Sequence, residues 1–212
     1  MIKQELLQKI QNKQAVVGII GLGYVGLPLM IRYAEEGFPV LGFDVDSKKV
    51  ENILEKKSYI NHITQQSMQA LPNNAATLDF KQISDVDVII ICVPTPLSEH
   101  MEPDLSHVTR SMDSITPYLK KGQMISLEST TYPGTTDEKI VPPVQASGFQ
   151  VGVDFFVVYS PEREDPNNKK YNTRTIPKVC GGVTEACLEV GKYFMNKELI
   201  KWFVSALQKL QK

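Results

Sequence analysis

The apolar run Val16 to Ile20 leads directly into Gly21-Leu22-Gly23-Tyr24-Val25-Gly26, and a helical apolar period begins at once after it. Asp44 closes the next apolar run, 18 residues beyond Gly26. No other feature restricts the fold as much as this order of strand, GxGxxG, helix, strand and terminal acid. A tight turn needs Gly21, a close approach of backbone to a ligand needs Gly23, and close packing of helix on strand needs Gly26. The helix that follows starts with unsatisfied N–H groups and the positive end of its dipole, a pairing suited to phosphate.

Together these parts predict a cradle for the diphosphate of a dinucleotide. Asp44, at a strand tip, can accept hydrogen bonds from both ribose hydroxyls and would repel a 2′-phosphate, which favours NAD over NADP. Lys48 and Lys49 stand close by and pull the other way. A bare GxGxxG serving only a tight turn is the alternative, and the ordered context argues against it.

Apolar runs of strand length alternate with longer segments of helical period along the rest of the chain. The expected strands are Val16 to Ile20, Val40 to Phe43, Val86 to Val93, Met124 to Glu128, Phe155 to Tyr159 and Lys178 to Cys180. Helices are expected over 2–12, 25–36, 47–56, 64–70, 105–118, 135–147 and 184–209, with Gly37, Gly122 and Gly148 as stops. Most of the strands lack polar alternation, so both sheet faces should be covered. The predicted fold class is α/β: a doubly wound, mostly parallel, Rossmann-like sheet in a single domain with a C-terminal helix. An N-terminal helix over 1–13 precedes that domain at 14–195, and a divergent helical tail covers 196–212.

Lysine and arginine total 23 against 24 acids, a formal charge of −1, so no nucleic-acid partner is expected. The longest strongly apolar stretch, Val88 to Val93, is far shorter than the roughly 20 residues needed to span a bilayer, and the N-terminus has no apolar signal core. No membrane partner is expected, and the predicted location is cytoplasmic. Cys92, Cys180 and Cys187 form no CxxC pair and lack a nearby histidine, so no metal is expected and each reads as a small buried hydrophobe.

In an open α/β sheet, ligands meet the carboxyl ends of the strands. Two such ends carry hydroxyls. Cys92-Val93-Pro94-Thr95-Pro96 makes a rigid rim, and Ser129-Thr130-Thr131 follows the strand around Ile125. Helix caps and turn formers account for these residues equally well from local chemistry. The polar loop Ser160 to Pro177 follows another buried strand. Its charge run, Glu162 to Asp165, reads either as part of a site or as a solvated loop held by internal ion pairs.

The segments GLGYVGLPL, FDVD, VPTPL, LESTTYPGTT and SPERED, in this order and spacing, resemble the UDP-glucose/GDP-mannose dehydrogenase family of nucleotide-sugar 6-dehydrogenases. The YVGLP continuation and SPERE are most similar to the branch acting on UDP-N-acetylglucosamine or UDP-N-acetylmannosamine. The likeness covers about 14–195, the NAD-binding part. It implies an NAD-dependent, two-step oxidation of a sugar C6 alcohol, through an aldehyde, to a carboxylate. By motif match, Gly21, Gly23, Tyr24, Val25 and Gly26 would cradle the pyrophosphate, Asp44 and Lys49 would hold the adenosine ribose, and Thr95 and Thr130 would flank the nicotinamide. Thr130 would also help order an active-site water. Glu162, Arg163 and Glu164 would meet the UDP-sugar substrate, with Glu162 assisting in acid/base chemistry.

The family's nucleophilic cysteine, its assisting lysine and asparagine, the central dimerisation helix and the UDP-binding half have no counterpart in this sequence. Activity of the chain alone is therefore not expected, and a homodimer would have to form without that helix. Residues 201–212, KWFVSALQKLQK, depart from the family pattern. Shifting the reading frame by one base near Lys201, for one choice of codons, gives Val-Val-Arg-Val-Ser-Ser-Thr-Lys-Val-Ala-Glu-Met, close to that pattern. A frameshift truncation of a longer dehydrogenase is one expectation for 196–212. An amphipathic helix carrying Leu199, Trp202, Phe203, Ala206, Leu207 and Leu210 is the other. Two function classes stay open: part of a UDP-N-acetylhexosamine or UDP-glucose 6-dehydrogenase, or an NAD-binding module without catalysis. A redox-sensing regulator lacks support, since neither a DNA-reading helix nor a basic face is evident.

Overall fold

Beta-branched runs with no polar alternation become the inner strands of one sheet because each face is roofed by helices. The computed structural model describes residues 1–97, 102–161, 178–195 and 204–206. Its strands are β1 (Val17–Ile20), β2 (Val40–Phe43), β3 (Ala76–Thr77), β4 (Val88–Ile91), β5 (Met124–Leu127), β6 (Phe156–Tyr159), β7 (Lys178–Gly182) and β8 (Val204–Ala206). They lie in the order β3-β2-β1-β4-β5-β6-β7-β8. All pairs from β3 to β6 are parallel, β7 runs antiparallel to β6, and β8 is parallel to β7. The expected Rossmann-like sheet is present.

The α-helices are α1 (Ile2–Gln11), α2 (Gly26–Glu35), α3 (Ser47–Leu54), α4 (Gln65–Met68), α5 (Ser106–Ile115), α6 (Val141–Ala146) and α7 (Glu185–Phe194). Alternate strand residues divide between two cores. Val17, Ile19, Val88, Ile90 and Val158 face α1, α2, α3 and α7. Ile20, Ile89, Ile91, Ile125 and Val157 face α5 and α6. This two-sided burial is why the sequence shows continuous apolar runs at these strands.

Several boundaries differ from expectation. The strand read as Val86 to Val93 keeps only Val88–Ile91, which leaves Cys92 and Val93 at the rim. The short β3 has no counterpart among the expected strands. The helix read over 105–118 ends as a 3-10 turn at Thr116–Tyr118, and that over 135–147 opens with a π turn at Thr136–Ile140, ahead of Pro142 and Pro143. Gly37, Gly122 and Gly148 stop their segments with φ of +87°, +85° and +86°.

The main correction concerns the carboxyl end. Of the helix expected over 184–209, the described residues show α7, and residues 204–206 form β8 rather than helix. Helical spacing of apolar residues continues past Phe194, but it carries no information about a strand partner. Val204–Ala206 lies in register with Lys178, Val179 and Cys180 of β7, and those backbone hydrogen bonds override the local pattern.

At the amino end, Leu6 and Ile10 put α1 into the first core. Asp87, just before β4, ties it to the sheet. One carboxylate oxygen accepts Lys9 Nζ at 2.8 Å and the other accepts the Val16 N–H at 3.0 Å. Cys92, Cys180 and Cys187 are buried, as the residues predicted.

Candidate functional site

After β1 the chain turns to β2 on one side, and it later returns to β4 on the other, so the sheet's crossover point lies between β1 and β4. A crevice at the carboxyl ends of strands follows from that topology. It is a cavity of about 780 Å³, lined by Gly21, Gly23, Tyr24 and Val25 of the first turn and by Asp44, Lys49, Thr95 and Thr130 from elements further along. Sequence reasoning singles out all eight, and the fold brings them to one space.

Two of the three glycines are demanded by protein neighbours, and the third is not. Gly21 has φ +91°, and a Cβ there would stand 2.8 Å from the carbonyl oxygen of Cys92 at the end of β4. A Cβ on Gly26 would stand 1.9 Å from the carbonyl oxygen of Gly21, so the first turn of α2 closes onto the end of β1 only without a side chain. At Gly23 a Cβ would meet no protein atom within 4 Å. Internal packing therefore does not require Gly23, and the backbone there is left open to close approach by a ligand. No side chain caps the first turn of α2.

Asp44 is 6% exposed and follows β2 directly. Its Oδ2 accepts the Leu22 N–H at 2.8 Å and Lys49 Nζ at 3.1 Å, while its Oδ1 accepts the Asp46 N–H at 3.0 Å. A carboxylate offers about four lone-pair directions, so these bonds fix its orientation and leave room for one more donor. Asp46 caps α3 by accepting from the Lys48 N–H, and this sets the helix that carries Lys49.

Toward the other end of the crevice, Thr95 Oγ1 donates to the Thr130 carbonyl at 2.6 Å, and Ser129 Oγ donates to the Val93 carbonyl at 2.7 Å. The rims after β4 and β5 are thereby joined, which neither capping nor turn formation required. Thr130 lies on the cavity wall beside this contact. The buried Oγ1 of its neighbour Thr131 has no hydrogen-bond partner among the described residues, and neither has Ser160 Oγ at the end of β6. Glu162, Arg163 and Glu164 lie outside the described residues.

The structure adds lining residues that the sequence did not single out. Tyr59 and Phe80 come from the connections around β3, Arg110 and Ser114 from α5, and the fully buried Glu128 from the end of β5, where Ser126 Oγ donates to it at 3.2 Å. Tyr59 is the most informative. Its hydroxyl donates to the Leu22 carbonyl at 2.5 Å, 37 residues away in the chain, and burial raises its pKa well above the ordinary value of 10, with the Asp44 and Asp46 charges adding to the rise. No periodicity marks such a residue; the only signal was an aromatic side chain in a largely polar connection.

Among the described residues no cluster of three or more potential metal ligands occurs, and no helix is long and apolar enough to cross a membrane.

A crossover crevice with a glycine turn at one wall and an acid at the adjoining strand tip defines a dinucleotide-binding domain of the Rossmann class. The chain belongs to the UDP-glucose/GDP-mannose dehydrogenase family: residues 15–198 match its NAD binding domain. It is 34% identical over 179 residues to a UDP-N-acetyl-D-glucosamine 6-dehydrogenase of Pseudomonas aeruginosa, covering 84% of this chain and 42% of that protein. The fold is similar to that of the UDP-N-acetyl-mannosamine dehydrogenase Cap5O from Staphylococcus aureus, with a TM-score of 0.80, 32% identity, and coverage of 92% of this chain and 47% of the other. It is also similar to an NDP-N-acetyl-D-galactosaminuronic acid dehydrogenase of Methanosarcina mazei, with a TM-score of 0.81, 26% identity, and coverage of 96% and 46%. The chain thus spans less than half the length of these relatives.

Proposed function

We propose that this chain supplies the cofactor-binding part of an NAD-dependent 6-dehydrogenase acting on a UDP-N-acetylhexosamine. The observation that carries the reading is the meeting, in one cavity, of a glycine turn with ligand space at Gly23 and an oriented carboxylate at Asp44. The relatives whose names specify UDP-N-acetylglucosamine or UDP-N-acetylmannosamine support the substrate class.

Gly21, Gly23, Tyr24, Val25 and Gly26 present backbone to the cofactor's diphosphate, and the α2 dipole favours the negative charge there. Asp44 accepts from a ribose hydroxyl. Lys49 sits on the same carboxylate oxygen as Leu22, so it must share or yield that position when a diol engages both oxygens. Thr95 and Thr130 flank the nicotinamide end. Bound there, NAD supplies the electron acceptor for oxidising an alcohol and then an aldehyde. Thr130 is assigned the ordering of a water, Glu162 an assisting acid/base role, and Arg163 and Glu164 contact with the sugar nucleotide; these assignments rest on the motif match.

Calorimetric titration tests the reading. NAD should bind and NADP should bind more weakly, and absence of NAD binding overturns it. Following NADH absorbance with UDP-N-acetylglucosamine, UDP-N-acetylmannosamine and UDP-glucose then tests the substrate class. A second reading, an NAD-binding module without catalysis, is favoured by the burial of every cysteine thiol. Binding of NAD with no NADH formed from any of the three sugars would select it.

A further inference from the structure

Leu22, between the first two glycines of the turn, is held from both sides. Its N–H donates to Asp44 Oδ2 at 2.8 Å and its carbonyl accepts the Tyr59 hydroxyl at 2.5 Å. A trans peptide is planar, with C=O and N–H pointing in opposite directions. Fixing the Leu22 carbonyl toward Tyr59 therefore fixes the Gly23 N–H away from it, and with it the path into Tyr24 and Val25. Gly23 has no side chain, and no protein atom lies within 4 Å of the place where one would begin. No described protein atom packs on that side of Gly23 to hold the peptide plane. The hydrogen bond from Tyr59 is what holds the Leu22 carbonyl itself.

Tyr59 is itself well anchored. Ile60, the next residue, is 3% exposed, and Ser58 Oγ accepts the Ile60 N–H at 3.2 Å, so the ring is presented by a braced connection. Burial keeps the phenol protonated across the ordinary working range, so it remains a donor.

We propose that Tyr59 is a positioning residue for the cofactor's diphosphate: by holding the Leu22 carbonyl it sets the peptide plane of the glycine turn and so aims the amides that follow. This deepens the diphosphate reading given above and rests on it.

Tyr59→Phe keeps the ring on the cavity wall and removes only the donor. The test titrates the full chain and this variant with NAD, with ADP-ribose, and with adenosine, which has the ribose but no phosphate. The expected result is a loss of roughly two- to tenfold for NAD and ADP-ribose, the worth of one hydrogen bond, with adenosine unchanged. Amide hydrogen exchange at Gly23 should quicken in the variant, a change that mere loss of loop stability would not confine to this turn. Equal weakening for all three ligands would assign Tyr59 to the adenosine wall and overturn the proposal. So would unchanged affinity for NAD and ADP-ribose while the unaltered chain binds both. If the unaltered chain binds neither NAD nor ADP-ribose, the diphosphate reading fails as well, and that outcome is distinct from failure of the Tyr59 role alone.

Discussion

Asp44 Oδ2 accepts the Leu22 N–H at 2.8 Å, so the acid that ends one strand holds the glycine turn that ends its neighbour. In the proposed reading, this bond mechanically joins ribose recognition to the shape of the diphosphate cradle. The site is consequently sensitive to changes at positions that touch no ligand.

Replacing Asp44 by alanine removes the proposed ribose acceptor and releases the Leu22 N–H, the Asp46 N–H and Lys49. NAD affinity should fall by about tenfold to a hundredfold, the range for losing a hydrogen bond to a charged group. Isothermal titration gives the answer, and unchanged affinity would show that the ribose lies elsewhere.

Gly23→Ala and Gly26→Ala should separate binding from folding. At Gly23 the added methyl meets only ligand space, so thermal stability should stay near that of the parent while NAD binding is lost. At Gly26 the methyl would stand 1.9 Å from the Gly21 carbonyl oxygen, so stability should fall by about 1–3 kcal/mol or more, and binding with it. Melting curves taken with and without NAD distinguish the two. Equal melting losses in both variants would mean that Gly23 also serves packing.

NADP should bind at least about tenfold more weakly than NAD, because a 2′-phosphate would approach the Asp44 carboxylate in a partly desolvated crevice. Lys49, whose side chain is 34% exposed, offsets part of that repulsion. Lys49→Ala should therefore widen the preference for NAD. An unchanged or narrowed preference in competition titrations would show that Lys49 does not offset the repulsion of the phosphate.

Asp87→Ala should destabilise the fold without touching the cofactor. The variant strands the Val16 N–H and frees the half-exposed Lys9, and a loss of about 1–3 kcal/mol is expected from two charge-assisted bonds to a buried carboxylate. Urea unfolding measures it, and NAD affinity should be unchanged at concentrations where the variant is folded.

The raised pKa of Tyr59 in the fold gives a pH dependence with a definite sign. Its neutral form is favoured in the folded chain, so that contribution to stability is complete below the unfolded value of about 10 and declines as pH climbs above it. Tyr59→Phe should flatten the stability profile above pH 10 relative to the parent. Identical slopes in the two proteins would show that the phenol is not held neutral.

Much of the sheet was legible because its strands are short apolar runs, and a strand buried on both faces has no polar alternation to confuse with a surface strand. Val88 to Ile91 are buried on alternating sides by different helices, and the run alone required both roofs. The tail was not legible. Apolar spacing past Phe194 fits a helix, yet Val204–Ala206 pairs with β7, and a pairing partner leaves no trace in local periodicity. The site divided in the same way. Gly21, Gly26 and Asp44 were visible because their spacing reflects a backbone geometry that few sequences satisfy. Tyr59 was not, because what matters is a bond to a carbonyl 37 residues distant.

The sequence by itself determined that a strand, a glycine turn, a helix and a second strand ending in an acid would meet around a dinucleotide, since each step is a short-range constraint on φ, on close approach or on burial. Only the tertiary structure decided how that cradle is held in shape. The bonds of Leu22 to Asp44 and Tyr59, and of Thr95 to Thr130, join segments that are remote in the chain, and their directions exist only once the sheet has brought the strand ends together.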